Sequence, residues 1–329
     1  MKILTVSIAA YNADWCLKKC LDSFIASKYL DLLDIIVVND GSKDNTAAIA
    51  SEYVKKFSAS IRLINKENGG HGSTINTSID NAMGKYFKIV DSDDWVDTEA
   101  LDALIELLMK TEADLVINDY NEVYGNVVKK IDVCKTYNEG VIYSFSDIAI
   151  EDTFPMHSLS VRFDKLKKVK EKISTHRFYV DTEFIFFAAM KTKTIMFQKN
   201  TVYQYLLGQN GQSVSGIGVY NHIEDLMFVE ERLINIYDNA KDQDLCVRKY
   251  LFNILQKCYK CIFGWYTIMP KADKDYLLKK FDEKIWYKYP KYRKEFELGV
   301  YSVVPLNYLL FIKVGRLLKK YLRYDYVKQ

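Results

Sequence analysis

The chain has 329 residues, of which 49% are hydrophobic and 27% charged. That length and composition exclude a disordered chain and leave room for one large domain or two modest ones. The net charge of +3 is small but unevenly spread. Residues 241–329 hold 20 Lys and Arg against 9 Asp and Glu, while the preceding 240 residues hold 26 against 34. A basic tail after an acidic body points to an anionic partner for the tail.

The six cysteines are Cys16, Cys20, Cys134, Cys246, Cys258 and Cys261. Cys258 and Cys261 form one C-x-x-C, but no second pair or histidine cluster completes a zinc site. Buried free thiols are therefore expected, which suits a reducing, cytoplasmic compartment. The chain opens directly on a strand-like run with no basic–apolar–small signal pattern. The uncharged run over residues 298–312 includes Pro305 and Asn307 and is too short to span a bilayer as a simple helix.

In chain order, residues 3–9 read as an apolar strand broken at Tyr11-Asn12-Ala13-Asp14, and residues 15–25 as a helix with Leu17, Cys20, Leu21 and Phe24 on one face. Ile35-Ile36-Val37-Val38 is a buried-strand signature ended by the turn Asn39-Asp40-Gly41-Ser42. Asp44 or Asn45 can cap a helix to about residue 57, and residues 61–64 form a third strand. A glycine-rich turn, Asn68-Gly69-Gly70-His71-Gly72, leads into a helix over residues 73–82. Residues 86–90 are a fourth strand, 97–110 a helix that Asp97 can cap, and 115–117 a fifth strand. Alternation of strand and helix predicts an α/β fold with a mostly parallel sheet and helices on its faces. Ligands of such sheets sit at the carboxyl ends of the strands. Three polar clusters fall there: Tyr11-Asn12, Asn39-Asp40-Gly41 and Asp91-Ser92-Asp93-Asp94.

Three carboxylates within four residues, directly after an apolar strand, repel one another unless a cation is near. A hard divalent ion relieves that repulsion, prefers oxygen ligands, and can bridge a diphosphate. Capping of the next helix needs Asp97 alone, so it does not account for Asp91 and Asp93. Asp40, one strand end away, is placed to accept hydrogen bonds from a base or ribose.

With these motifs in hand, the chain resembles the family 2 glycosyltransferases, inverting enzymes of the GT-A fold. The resemblance rests on Val6-Ser7-Ile8-Ala9-Ala10-Tyr11-Asn12, Val37-Val38-Asn39-Asp40-Gly41-Ser42, Asn68-Gly69-Gly70 and Val90-Asp91-Ser92-Asp93-Asp94-Trp95, in that order. It covers residues 1–120 well and 150–215 more loosely. It implies that Tyr11 and Asp40 contact the nucleoside, with Ala9 lending backbone. Asp91 and Asp93 are the metal-binding D-x-D pair for Mn2+ or Mg2+, and Asp94 meets donor or acceptor sugar. The implied nucleotide-sugar site also takes in Asn12, Gly41, Asn68, Gly70, His71, Asn76 and Ser92. The family often has Pro where Ala9 stands and Arg where Ile75 stands; His71, Ser73 and the turn amides could replace a lost Arg.

The family supplies the catalytic base from a Glu-Asp pair ahead of a helix. Glu151-Asp152 has the letters, but Phe154-Pro155 follows it. Val180-Asp181-Thr182-Glu183 runs into a helical segment to residue 190, so Asp181 is the expected base or the N-cap of that helix, with Glu183 available to the acceptor. Downstream come a strand over 195–206 and the turn 208–215, which with Tyr203-Gln204-Tyr205 would sit over the cleft. The expected organisation is a nucleotide-sugar-binding half over 1–118, an acceptor-binding half over 119–218, and a helical, basic C-terminal region over 219–329. In that region Leu306, Leu309, Leu310, Val314, Leu317, Leu318, Tyr321 and Leu322 keep helical spacing among Lys313, Arg316, Lys319, Lys320 and Arg323. Such a helix either lies on the inner face of the cell membrane or packs on the body.

The function expected is transfer of a hexose or N-acetylhexosamine from a UDP-sugar to a glycan, glycolipid or glycoprotein acceptor in surface polysaccharide or glycoconjugate synthesis. A sugar nucleotidyltransferase needs a glycine-rich, basic segment after the first strand, where this chain has Ala9-Ala10-Tyr11-Asn12. A non-catalytic homologue acting as a partner subunit would bind nucleotide or glycan without turnover. No nucleic-acid motif accompanies the basic tail, and neither a dinucleotide fingerprint nor a P-loop is present.

Overall fold

The computed structural model describes residues 1–148, 153–209, 212–241, 243–266, 269 and 273–292. Its elements in chain order are β1 (Leu4–Ala10), α1 (Leu17–Ile25), β2 (Leu33–Asp40), α2 (Thr46–Lys56), β3 (Ile61–Lys66), α3 (His71–Asn81), β4 (Tyr86–Asp91) and β5 (Trp95–Val96). They continue as α4 (Thr98–Lys110), β6 (Leu115–Tyr124), β7 (Val127–Ile131), β8 (Ile142–Ser144), β9 (Leu159–Arg162), α5 (Phe163–Leu166), α6 (Asp181–Met190) and β10 (Thr194–Leu207). Last come α7 (Gly216–Asn239), α8 (Leu245–Tyr266) and α9 (Asp275–Lys288). The predicted elements of the first 120 residues all form. Asp97 caps α4 as expected, accepting from the Ala100 amide at 2.9 Å. Some bounds shift: α1 begins at Leu17, β2 at Leu33 and α3 at His71, while β6 runs on to Tyr124.

Contacts divide the chain into two units, Met1–Leu207 with Gln243–Tyr250, and Gly208–Asp242 with Leu251–Gln329. The first is built on one ten-stranded sheet of order β3-β2-β1-β4-β9-β6-β10-β5, with β7 on β6 and β8 on β10. β3, β2, β1 and β4 are mutually parallel, because helices α1 to α3 carry the chain back each time. β1 is the centre of that half. It pairs Ala10 with Asn39 and Ala9 with Asp91, which brings the three polar strand ends to one level. β9 then enters antiparallel to both β4 and β6 and joins the halves. β10 runs parallel to β6 with register shifts between Gln198 and Tyr203, and this irregular stretch lets its second half reach β5. The core is continuous: Leu4, Val6 and Ile8 of β1 pack with Leu17, Leu21 and Phe24 of α1 and Leu101, Leu104 and Leu108 of α4. All six cysteines are free, and four of them are buried.

In the second unit the described helices carry one unusual core residue. Glu230 of α7 is fully buried, with the Cys258 thiol as its hydrogen-bonding neighbour. Burial raises its pKa well above the ordinary carboxyl value, and the Cys258 thiol opposes this only weakly. A carboxyl raised in the folded state adds stability below its unfolded pKa and loses it as pH rises through the folded pKa. Glu230→Gln should therefore raise the melting temperature at neutral pH and leave it unchanged near pH 4. Parallel melts of the two proteins across that range check this, and a pH-independent difference would contradict it.

Among the described residues no helix is long and apolar enough to cross a membrane. Glu151-Asp152, the run 298–312 and the amphipathic stretch 306–323 lie outside the described residues.

Candidate functional site

Three turns converge at the carboxyl ends of β1, β2 and β4. Tyr11 follows β1 and is 54% exposed. Asn12 adopts a left-handed backbone (φ 50°) and accepts from the Lys43 amide at 2.8 Å, while its own N–H donates to Ser42 Oγ at 3.0 Å. This clasp joins the first two strand-end turns. Gly41 has φ +76°, and a Cβ there would stand 3.0 Å from the Asn68 nitrogen, so only glycine lets the two loops meet.

Asp40 is 3% exposed, and its carboxylate is fully engaged within the protein. Gly69 N–H and Gly70 N–H donate to it at 2.9 and 2.8 Å, and Lys66 Nζ at 2.7 Å. Asn68 Nδ2 holds the Asp40 carbonyl at 3.0 Å. Asp40 and Asn68 thus shape the glycine-rich turn directly. Ile75, in the position where an Arg was looked for, is buried core. The cation the turn does have is Lys66, which also donates to Ser73 Oγ at 2.9 Å.

The turn is a seat for the segment ahead of α6. His176 N–H donates to Gly69 O at 2.7 Å, and a Cβ on Gly70 would stand 3.1 Å from the His176 nitrogen. Asn76 clasps Ile173 from both sides, accepting from its N–H at 2.9 Å and donating to its carbonyl at 2.8 Å. Glu183 is fully buried and accepts from Ser174 N–H at 2.6 Å and Ser174 Oγ at 2.8 Å. Asn76 and Glu183, expected to face ligands, instead spend their polar groups holding residues 173 and 174. His176 and Tyr179 sit in left-handed backbone (φ 53° and 61°), a strain the three anchors sustain. Asp181 is the first residue of α6; the cap position belongs to Val180, which makes no side-chain cap bond.

The acidic turn lies opposite. Asp94 is 1% exposed; Tyr203 OH donates to its Oδ2 at 2.5 Å and Leu206 N–H to its Oδ1 at 2.6 Å. Tyr203, expected over the cleft, is a buried post behind the acidic turn, and it also accepts from the Asp91 amide at 3.2 Å. His71 Nε2 is 3.2 Å from Asp91 Oδ1. Ser92 pairs with the buried Cys16 thiol.

The charges are poorly balanced. Burial and then the Asp91 carboxylate push Asp93 up to about 6. Burial, Asp93 and Asp91 push Asp94 well above the usual carboxyl range. Burial disfavours charge on both His71 and Asp91, but their mutual attraction wins, raising the imidazole pKa and lowering that of the carboxyl. Asp181 is raised by burial, against the pull of His71. Asp181 and Asp93 both act on His71 alongside Asp91, and Asp94, Asp91, Asp181 and Asp93 all face the Tyr205 phenol. Asp181 and the acidic turn, far apart in the chain, therefore lie within electrostatic reach of the same imidazole and phenol.

Two residues were beyond the reach of motif reading. His157 contributes a ring nitrogen within 4.8 Å of oxygens of Asp91 and Asp94. Among the described residues, this Asp–Asp–His group is the one gathered closely enough to hold an ion, whereas the motif pairs Asp91 with Asp93. Lys88, 1% exposed on β4, donates to the His157 carbonyl at 2.8 Å and to that of Leu159 at 3.2 Å; burial lowers its pKa to about 7. A lysine inside an otherwise apolar strand was the one local signal available for it.

A sheet of this order, with an acidic turn after β4 and a second half returning through β9 and β10, defines a GT-A fold. Over its full length the chain superposes on S. aureus TarS 1-349, solved in complex with UDP-GlcNAc, with a TM-score of 0.71 at 17% identity, covering 93% of that chain. It also matches the mannosyltransferase PcManGT of Pyrobaculum calidifontis, solved with GDP-Man and Mn2+, with a TM-score of 0.53 at 16% identity, over 96% of this chain and 87% of that one. Residues 5–133 match the model of glycosyl transferase family 2. Similar proteins include the glycosyltransferase GlyA of Streptococcus pneumoniae, 36% identical over 36% of this chain and 16% of GlyA. The poly(ribitol-phosphate) beta-glucosyltransferase of Bacillus spizizenii is 29% identical over 69% of this chain and 36% of that protein. The matches to the first three curated relatives span 16%, 39% and 59% of their lengths.

Proposed function

We propose that the chain moves a sugar from a UDP-hexose or UDP-N-acetylhexosamine to a hydroxyl of a glycan or glycolipid, in the building of cell-surface polysaccharide or glycoconjugate. The observation that carries this reading is the crevice around His71, where Asp91 lies 3.2 Å away and Asp93 and Asp181 also act. Kinship with family 2 and the likeness of fold to a protein solved with UDP-GlcNAc support it.

In this reading residues 1–118 hold the donor and 119–218 the acceptor. Tyr11, Asn12 and Ala9 on one side, and Asp40 and Gly41 on the other, border the nucleoside. Gly70, His71 and Ser92 border the diphosphate-sugar, with Asn68 and Asn76 fixing the turn that carries them. The reaction is a single displacement with inversion. Asp181 takes the proton of the acceptor hydroxyl, whose oxygen bonds to the anomeric carbon as the bond to the diphosphate breaks on the opposite face. Asp94, locked by Tyr203 and Leu206, orients the sugar. The residues fit a divalent cation, Mn2+ or Mg2+, because burial and then the neighbouring carboxylates raise Asp93 and Asp94, and the His71 pull on Asp93 and the Tyr203 and Leu206 bonds to Asp94 do not offset this. Asp91 and Asp93 would hold it, and it would neutralise the charge of the departing diphosphate.

Purified protein mixed separately with UDP-glucose, UDP-galactose, UDP-GlcNAc and UDP-GalNAc should release UDP from one of them. Release should stop in EDTA and in Asp93→Ala. Neither release nor calorimetric binding with any of the four would sink the UDP-sugar reading.

A further inference from the structure

His157 stands outside the acidic turn, in the 3-10 turn Met156–Ser158 just before β9. Its position is tightly specified. Lys88 grips its carbonyl, and its ring packs on Tyr205, Tyr203 and Tyr120 with centroids 4.2, 4.7 and 5.4 Å away. Its Nδ1 is buried with no hydrogen-bond partner. A buried nitrogen left without a hydrogen-bond partner is costly, so a ring held this firmly without a partner calls for a ligand. Asp91 and Asp94 supply the other half of the pattern, since an oxygen of each and a nitrogen of His157 lie within 4.8 Å of one another. A single ion bound at about 2.0–2.4 Å from each atom spans such a group with little adjustment.

We infer that His157 is a protein ligand of the divalent cation, adding a nitrogen donor beside Asp91 and bringing Asp94, in place of the sugar contact given to it above, to the cation that Asp91 and Asp93 would hold. The inference rests on the transfer reading for what the cation is used for, while cation binding itself can be measured apart from turnover. A mixed nitrogen and oxygen set favours a transition ion such as Mn2+ over Mg2+, which prefers oxygen alone. His71 is the competing imidazole: its Nε2 is likewise buried without a hydrogen-bond partner, 3.2 Å from Asp91 Oδ1, but it lies outside the three-residue group.

The test is electron paramagnetic resonance of Mn2+ on the full chain, with Mn2+ alone and with Mn2+ plus UDP. Wild type should bind Mn2+ more tightly than Mg2+ and show pulsed-spectrum modulation from a directly bound nitrogen. His157→Gln should lose the modulation and weaken Mn2+ binding about tenfold or more, with a smaller change for Mg2+. His157→Phe, which keeps the ring packing on Tyr205, should lose the modulation too, and His71→Asn should retain it. Nitrogen modulation that survives both His157 variants, or that vanishes in His71→Asn, or that is absent from wild type, overturns the assignment. Mn2+ bound through His157 with no turnover of any donor would leave the assignment standing and count against transfer. Turnover with Mn2+ held by oxygen alone would do the reverse.

Discussion

Asp181→Asn should lower kcat by about 10²–10⁴-fold with little change in donor affinity, the range general-base removal costs when binding is left intact. In the proposed reading the donor is gripped by turns after β1, β2 and β4, and Asp181 is on none of them. Asp181 stands in the first turn of α6, where burial raises its pKa against the pull of His71. The sign of the pH dependence follows. The base is the ionised form, so wild-type kcat should fall as pH drops through the raised pKa, and the residual activity of the Asn variant should lack that limb. Stability should move the other way. A carboxyl raised in the folded state contributes stability below its unfolded pKa and loses it as pH rises, so Asn should melt no lower than wild type at neutral pH. Steady-state rates from pH 4 to 8, donor calorimetry and a thermal melt separate these effects. A variant with kcat within twofold of wild type would remove Asp181 as the base.

Gly72→Ala should destabilise the first unit by about 1–3 kcal/mol, the usual cost of forcing a methyl into filled space. A Cβ there would overlap the Ser174 carbonyl oxygen and approach Ile173 Cγ2 to 2.8 Å and the Ser174 carbonyl carbon to 3.0 Å. Two of these are backbone atoms, which no rotamer change moves away. The segment that bears them is pinned by Asn76, by Glu183 and by the His176 bond to Gly69, so relief must come from shifting the lead into α6. For a unit of this size the melting temperature should fall about 2–4 °C per kcal/mol. Because the shift carries Asp181 with it, kcat should fall by more than donor affinity. Unchanged melting and unchanged kcat would show that residues 173–176 yield freely and that the seat has no part in placing the base.

The glycines of the turn show where reading a sequence stops. Asn68-Gly69-Gly70 is one of the motifs on which the family resemblance rests, by order and spacing alone. In the fold, Gly70 and Gly72 are small because residues 173–177 of the same chain lie against them. Asn76 and Glu183 follow the same pattern, as polar residues beside a site whose partners are backbone atoms far away in sequence.

Local chemistry alone determined the β-α alternation of the first 120 residues, the parallel half-sheet and the level at which Tyr11, Asp40 and Asp91 emerge. It also set the Asp97 cap. Periodicity, β-branched runs and turn residues act over a few neighbours, and the strand ends follow from them. Tertiary structure decided which carboxylates face one another and what backs them. Tyr203 reaches Asp94 through irregular pairing in β10, His157 reaches Asp91 because β9 enters antiparallel beside β4, and Lys88 lies buried beneath it. Each of these joins residues from separate strands, and a contact of that kind depends on sheet order and register, which no short window of sequence encodes.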